Sequence, residues 1–226
     1  MGLEIRRMTT DLGRSAYADM KKLAILKDNP VIVDVGANVG QSIEQFRAIF
    51  QNPEIHAFEP SPRTFDQLKA RTGRLDNLNL HNMALGAAQG SLKFSENSDS
   101  VMSSFLEPDR DCWGEVQARY DVRVETLDRY CELNNISSIE VVKLDTQGFD
   151  YEVLKGAKTM LDEHRIHLIF TEIIFDGLYK GHSRLDQIYG FLVDRGYALV
   201  SFYQFYYRRE RASWTDALFI HPSPKN

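Results

Sequence analysis

The chain has 226 residues, with 27 Lys and Arg against 32 Asp and Glu, a formal net charge of -5 and 43% hydrophobic residues. This is enough apolar material for one α/β domain with a full sheet buried between helix layers, and nothing in the composition marks a second core. The basic residues are dispersed, which argues against nucleic acid as a partner, and the two cysteines, Cys112 and Cys131, are too few for a disulfide framework or a cysteine-rich zinc site.

No apolar run is long enough to span a bilayer and the first residues carry no signal-peptide pattern, so a soluble cytoplasmic protein with no membrane partner is expected. Residues 1–28 read as an N-terminal helical extension. Leu12, Ala16, Met20, Leu23 and Leu26 fall near helical spacing, and Lys21, Lys22 and Lys27 gather toward the end, where cations suit the helix dipole. A helix covering the sheet explains this stripe better than a cofactor lid.

Residues 29–222 read as a single domain. Val31, Ile32 and Val33 form a β-branched run that ends in a turn at Gly36-Ala37-Asn38. From Val39 the apolar residues Ile43, Phe46, Ile49 and Phe50 take helical spacing. Such a strand, turn and helix start is a nucleotide-type site, because glycines at 36 and 40 let a ligand approach the backbone and the first helical N–H groups are free donors. The dinucleotide pattern G-x-G-x-x-G is absent, since the glycines stand as Gly36-x-x-x-Gly40 with Asp34 before them. A carboxylate beside the turn suits a cationic ligand better than a pyrophosphate, and Gln41 opens the helix that follows. A plain strand-to-helix turn is the alternative.

Glu54 to Glu59 alternates like a second strand. It places Glu59 about twenty residues beyond the glycine turn, where an acid accepts hydrogen bonds from ribose hydroxyls. Alternatively Glu59 merely precedes a helix with Ser61 as N-cap and Pro62 in its first turn. Leu78, Leu80 and Met83 fit a third strand, with backbone at Met83 and Ala84 placed to read an adenine ring or to form a simple turn. Gly90 to Phe94 and Asp121 to Val124 look like short extra strands. The intervening residues, about 95–120, have no clear period and read as a mobile flap over an acceptor pocket. Thr126 or Glu125 could cap the helix that follows.

Ile139 to Leu144 reads as the fourth, central strand, ending at Asp145, and a single helix continues over Phe149 to Leu161. Ile166 to Phe170 is the fifth strand, delivering Glu172 at its end. Leu185 to Val193 is a helix closed by Gly196, and Ala198 to Phe202 and Ala217 to Ile220 are two final strands. With no helix between them, the seventh strand must run antiparallel to the sixth. The expected fold is therefore a Rossmann-like α/β sheet of seven mostly parallel strands, with Gly36, Glu59, Met83, Asp145 and Glu172 along one edge. The connection Tyr203 to Arg211 would emerge at that edge. Its aromatics and arginines could stack on a sugar, pair with an anionic acceptor or form a homodimer contact. His221 onward reads as a polar tail, with 223–226 at its end.

Taken together, DVGANVG at 34–40, HAFEPSP at 56–62, NMALG at 82–86, TLDRY at 126–130 and VVKLDTQGFDYEVLKGA at 141–157, with the closing hairpin, resemble the FkbM-type methyltransferase family over roughly residues 30–220. The resemblance implies methyl transfer from S-adenosylmethionine to a hydroxyl of a small molecule or saccharide. The family pattern K-x-D-x-E-G-x-E is altered here, with Gln147 for the first Glu and Asp150 for the last. The expected cofactor site comprises Asp34, Gly36, Asn38, Gly40, Gln41, Glu59, Ser61, Met83, Ala84 and Asp145. A hydroxyl needs a base or a metal. His182 is the preferred base among the six histidines, the others lying on strands or near ends. Asp145 could hold the amino-acid part of the cofactor or act near the acceptor, and with Glu172 it could bind Mg²⁺ or simply form a solvated rim. A non-catalytic cofactor-binding module stays open because of Gln147. A nicotinamide enzyme is disfavoured by the missing middle glycine.

Overall fold

A computed structural model describes residues 12–25, 28–73 and 75–222. Leu26, Lys27 and the tail 223–226 lie outside them. The strands are β1 (Val31–Val35), β2 (Glu54–Phe58), β3 (Leu78–His81), β4 (Ala84–Leu85), β5 (Gly90–Asn97), β6 (Val116–Glu125), β7 (Ile139–Leu144), β8 (Ile166–Ile174), β9 (Ala198–Arg208) and β10 (Arg211–Ile220). The helices are α1 (Ala16–Leu23), α2 (Gln41–Ile49), α3 (Pro62–Thr72), α4 (Leu127–Leu133), α5 (Asp150–Lys155), α6 (Lys158–Asp162) and α7 (Leu185–Val193).

The main sheet has seven strands in the order β3-β2-β1-β7-β8-β10-β9. The pairs among β3, β2, β1, β7 and β8 are parallel, and β10 is antiparallel to both neighbours, as the absence of a helix between the last two strands requires. β1 and β7 lie centrally and are almost fully buried, which is why their sequences VIVDV and IEVVKL are mostly apolar without alternation, with Asp34, Glu140 and Lys143 as buried exceptions. One face of the sheet carries Ile32, Val141, Leu168 and Leu218 against Met20 of α1, Phe46 of α2 and Leu68 of α3. The other carries Val33, Val142 and Ile169 against Leu154, Met160 and Leu192.

Several features differ from the sequence expectation. β4, β5 and β6 form a second, three-stranded sheet. β5 and β6 run into the 95–120 segment, where a 3-10 turn at Ser100–Met102 and the bridges Ser95–Ser104 and Pro108–Tyr179 also give structure. The helix expected from Phe149 to Leu161 is two helices broken at Gly156, because the chain there passes so close to Gly86 that a Cβ would lie 2.0 Å from its carbonyl oxygen. β8 continues past Phe170 to Ile174, so Glu172 sits inside the strand rather than at its end. The final hairpin is far longer than expected: Tyr203 to Arg208 belong to β9, and a two-residue turn at Arg209 and Glu210, both at positive φ, replaces the expected loop. His221 is buried and stacks on His164 at 4.0 Å between ring centroids.

α1 covers the sheet through Ala16, Met20 and Ala24. Asp19 fixes it, accepting hydrogen bonds from the Gly13 N–H and from the Tyr203 hydroxyl at 2.8 Å. Tyr17, on the same helix, packs edge-on against Phe46 and Phe170.

Candidate functional site

The carboxyl ends of β1, β2 and β7 surround a cavity of about 290 Å³, near the lower bound of roughly 300 Å³ usual for small-molecule sites. Its shape begins with Gly36, at φ +79°. A Cβ there would lie 2.0 Å from the Asp145 carbonyl oxygen, so only glycine lets the ends of β1 and β7 meet. The N–H groups of Gly36 and Ala37 both donate to the Phe58 carbonyl, tying the turn to β2 as well. Asn38 takes the left-handed conformation, with φ at 48°, and its side-chain oxygen accepts the Val39 N–H at 2.8 Å.

Glu59 follows directly. Its Oε2 accepts the Asn38 N–H at 3.0 Å and its Oε1 accepts the Ser61 N–H at 2.8 Å, so one carboxylate clasps the glycine turn and the start of α3. It is buried yet lines the cavity. Burial pushes its carboxyl up to about 7, opposed by the two backbone N–H donors and the Lys143 charge.

The opposite wall is built on Lys143. Its ammonium lies 3.0 Å from Asp34 Oδ1 and 3.7 Å from Asp145 Oδ2, and it donates to the Gly36 carbonyl at 3.0 Å. Burial works against its charge, but Asp34 and Asp145 more than compensate and hold the lysine firmly protonated. Ser42 donates to the other oxygen of Asp34. The side chain of Asp145 stays 43% exposed and its Oδ1 accepts from the Gln147 amide at 2.8 Å. Gln147 in turn accepts the Tyr179 hydroxyl at 3.0 Å, so the amide at the altered family position bridges Asp145 and Tyr179.

The cavity is thus chemically divided. Phe58, Ala84, Leu85, Phe94, Phe105 and Phe149 line it on one side, with Phe105 against Phe94 and Phe149 at 5.0 and 4.9 Å. Tyr17, Asn38, Lys143 and Asp145 line it on the other. Burial raises the Tyr17 phenol to about 12 against the lowering effect of Lys143, so it is a neutral hydroxyl at physiological pH. Ser100, Val101 and Ser103 also line the cavity, and the Ser100 hydroxyl donates to Asn38 Oδ1 at 3.2 Å.

Of the residues expected from the sequence, Gly36, Asn38, Gln41, Glu59, Ala84 and Asp145 line this cavity. Asp34 stands behind it, paired to Lys143. Gly40 packs on α3, where a Cβ would meet Leu68 and Thr72 at 3.0 Å. The Ser61 hydroxyl caps α3 by accepting the Thr64 N–H and donates to Glu96, and Met83 belongs to the core beneath. His182 is not among the lining residues. It packs on Gly148, and its Nδ1 lies 2.8 Å from the Tyr179 carbonyl, to which it donates. Glu172 is buried beside Asp216, its carboxyl pushed well up by burial and by Asp145. Among the described residues, no group of three or more His, Cys, Asp or Glu side chains is gathered as a metal site.

Of the lining residues not expected from the sequence, Lys143 and Tyr17 stand at the polar end of the cavity. Lys143 was legible as a lone cation inside an apolar strand, a position that requires a buried partner. Tyr17 left no signal, because its place in the wall depends on how α1 docks.

A model of the FkbM methyltransferase domain matches residues 34–199. The chain belongs to the FkbM methyltransferase family. Among relatives of this FkbM methyltransferase, the 2-O-methyltransferase NoeI of Sinorhizobium fredii is 30% identical over 173 residues, covering 72% of the chain and 70% of NoeI. The hexuronic acid methyltransferase AglP of Haloferax volcanii is 24% identical over 150 residues, covering 65% of the chain and 57% of AglP. Similar solved folds include the Synechocystis magnesium protoporphyrin IX methyltransferase with bound S-adenosylmethionine, at TM-score 0.51, 9% identity and coverage of 91% and 76%. An rRNA methylase from Streptococcus thermophilus has TM-score 0.51, 12% identity and coverage of 91% and 93%. The FkbM methyltransferase therefore has the fold shared by S-adenosylmethionine-dependent enzymes.

Proposed function

We propose that the protein is an S-adenosylmethionine-dependent O-methyltransferase acting on a hydroxyl of a saccharide or saccharide-like small molecule. The observation that carries the cofactor reading is Glu59. It is a buried carboxylate facing the cavity, its two oxygens already anchored by backbone N–H groups, with acceptor capacity left for two ribose hydroxyls. The phenylalanine-lined side suits a nucleobase. The cofactor, when bound, supplies an electrophilic methyl group on a sulfonium.

The chain's own residues do the rest. Lys143 orients Asp34 and Asp145, and Tyr17 with the Ser100–Ser103 stretch limits water at the polar end. The acceptor oxygen takes the methyl carbon as the carbon–sulfur bond breaks, and the hydroxyl proton must leave. Asp145, exposed to the cavity and held by Gln147, is the residue we assign to receive that proton. His182, on Gly148, is the less direct choice. The name of NoeI gives oxygen as the site of transfer in one relative, and that of AglP gives a hexuronic acid as the substrate of another.

No helix of the described residues is long and apolar enough to cross a membrane, and Cys112 and Cys131 are unpaired. The free thiols fit a reducing compartment such as the cytoplasm. Incubation with methyl-labelled cofactor and a panel of saccharides tests the assignment. Transfer of label to a sugar supports it, whereas tight cofactor binding without transfer across the panel favours a non-catalytic module.

A further inference from the structure

The strand register carries the polar wall of the cavity outward across the sheet. Leu144 pairs with Thr171, so Asp145, one residue further, lies beside Glu172. Glu172 pairs with Asp216 and Asp216 with Tyr203. Period-two alternation puts Glu172 on the face of Phe170 and Asp216 on the face of Leu218, the face covered by α1. Glu172 is 9% exposed, and its Oε2 has no hydrogen-bond partner among the described residues. A buried carboxyl oxygen left in this state wants a hydrogen-bond partner.

One alternation further out, on the same face, Ile174 pairs with Trp214 and Trp214 with Tyr206. A bulge in β9 between Tyr203 and Tyr206 keeps both on this face. Tyr206 and Trp214 are stacked at 4.6 Å with their planes 7° apart, and Tyr206 is 37% exposed. The Arg208 guanidinium lies 4.4 Å from the Trp113 ring centroid and 5.8 Å from that of Trp214. Arg110, Arg209 and Arg211 nearby pair with Asp111 or Asp176. Arg208 has no carboxylate within ion-pair distance among the described residues, and its buried Nε has no partner. Trp113 also donates from Nε1 to Asp99 at 2.9 Å, and Asp99 caps the 3-10 turn whose Ser100 and Val101 line the cavity.

We infer that this juxtaposition is the acceptor subsite and that it takes an acidic sugar unit, a hexuronate. Sugar hydroxyls hydrogen-bond with the row of carboxyl groups at the Asp145 end, the ring's apolar face rests on Tyr206, and the uronate carboxylate meets Arg208. The Glu172–Asp216 row and the Trp214–Tyr206 row are two strand residues apart, about 7 Å, and Arg208, two residues beyond Tyr206 on β9, brings its guanidinium back to 5.8 Å from the Trp214 ring centroid, within reach of a substituent of one pyranose ring. Aromatic stacking supplies area at low entropic cost, and an unpaired guanidinium discriminates an anion from a neutral sugar. The inference rests on the saccharide O-methyltransferase reading and deepens it.

The test is saturation-transfer NMR on the full chain loaded with S-adenosylhomocysteine, comparing methyl glucuronide, methyl glucoside and a glucuronate-ended oligosaccharide. The glucuronide is expected to bind about tenfold more tightly than the glucoside. Arg208→Gln should erase that preference while S-adenosylhomocysteine still binds, Arg208→Lys should restore part of it, and Tyr206→Ala should weaken both sugars. Tighter binding of the oligosaccharide than of the free glucuronide would assign the site to a chain-linked unit, and equal binding to a free one. A protein that binds S-adenosylhomocysteine but shows no preference for the glucuronide, or an Arg208→Gln variant that keeps it, overturns the inference alone. An Arg208-dependent preference in a protein that does not bind S-adenosylhomocysteine would leave the subsite standing and remove the methyltransferase reading.

Discussion

The Lys143 ammonium sits 3.0 Å from Asp34 Oδ1 with both side chains buried, one strand apart in the middle of the sheet. Neither charge could occupy that position alone. The pair fixes the ends of β1 and β7, and with them the Gly36 carbonyl and Asp145.

Lys143→Met should therefore leave a buried carboxylate uncompensated, at a cost of about 3–5 kcal/mol. Combining it with Asp34→Asn should recover much of that loss, because no buried charge then remains. Urea denaturation of the single and double variants measures the coupling, and strictly additive losses would mean that the pair is not a unit.

Gly36→Ala should be destabilising and abolish cofactor binding, since its Cβ would fall 2.0 Å from the Asp145 carbonyl oxygen. Left-handed strain alone costs about 1–3 kcal/mol. Gly181→Ala isolates that strain, because Gly181 also has positive φ, at +72°, but nothing lies within 4 Å of its added Cβ. Thermal unfolding of the two variants should show a distinctly larger loss at 36 than at 181.

Asp150 is 1% exposed, and burial followed by the Asp145 charge pushes its carboxyl up to about 7 from an ordinary 3.8. The folded chain therefore keeps a proton that the unfolded chain gives up at lower pH. The resulting stability is fully present below the unfolded value and is lost as pH rises through about 7. Asp150→Asn removes this ionisation, so its melting temperature should fall less than that of the parent between about pH 5 and about pH 8. Glu59 and Asp216, also pushed up to about 7, keep a residual slope of the same sign. Parallel curves for the two proteins would contradict the assignment.

Much of this was readable in the chain because the features were local. The VIVDVGANVG stretch carries its own strand, turn and helix start, and Glu59 and Asp145 follow strands whose apolar runs mark where they end. What could not be read depended on distant chain. Tyr203 to Arg208 look like a loop because exposed aromatics blur the alternation, and the tight turn at Arg209-Glu210 uses positive φ without glycine or asparagine. The break at Gly156 reflects close approach to Gly86, 70 positions earlier in the chain, which no helical pattern records. Glu172 lies inside its strand because β8 runs on to Ile174 beside β10, a pairing partner supplied from the end of the domain.

The central claim is that Glu59 grips the ribose of a nucleoside cofactor in this cavity. Calorimetric titration of the parent and of Glu59→Gln with S-adenosylhomocysteine at about pH 8, above the raised Glu59 value, tests it most directly. The parent is expected to bind, and the variant to bind more weakly by about 1.5–3 kcal/mol, the usual contribution of hydrogen bonds to a charged group. No binding by the folded parent, or the same dissociation constant for both proteins, would contradict the account.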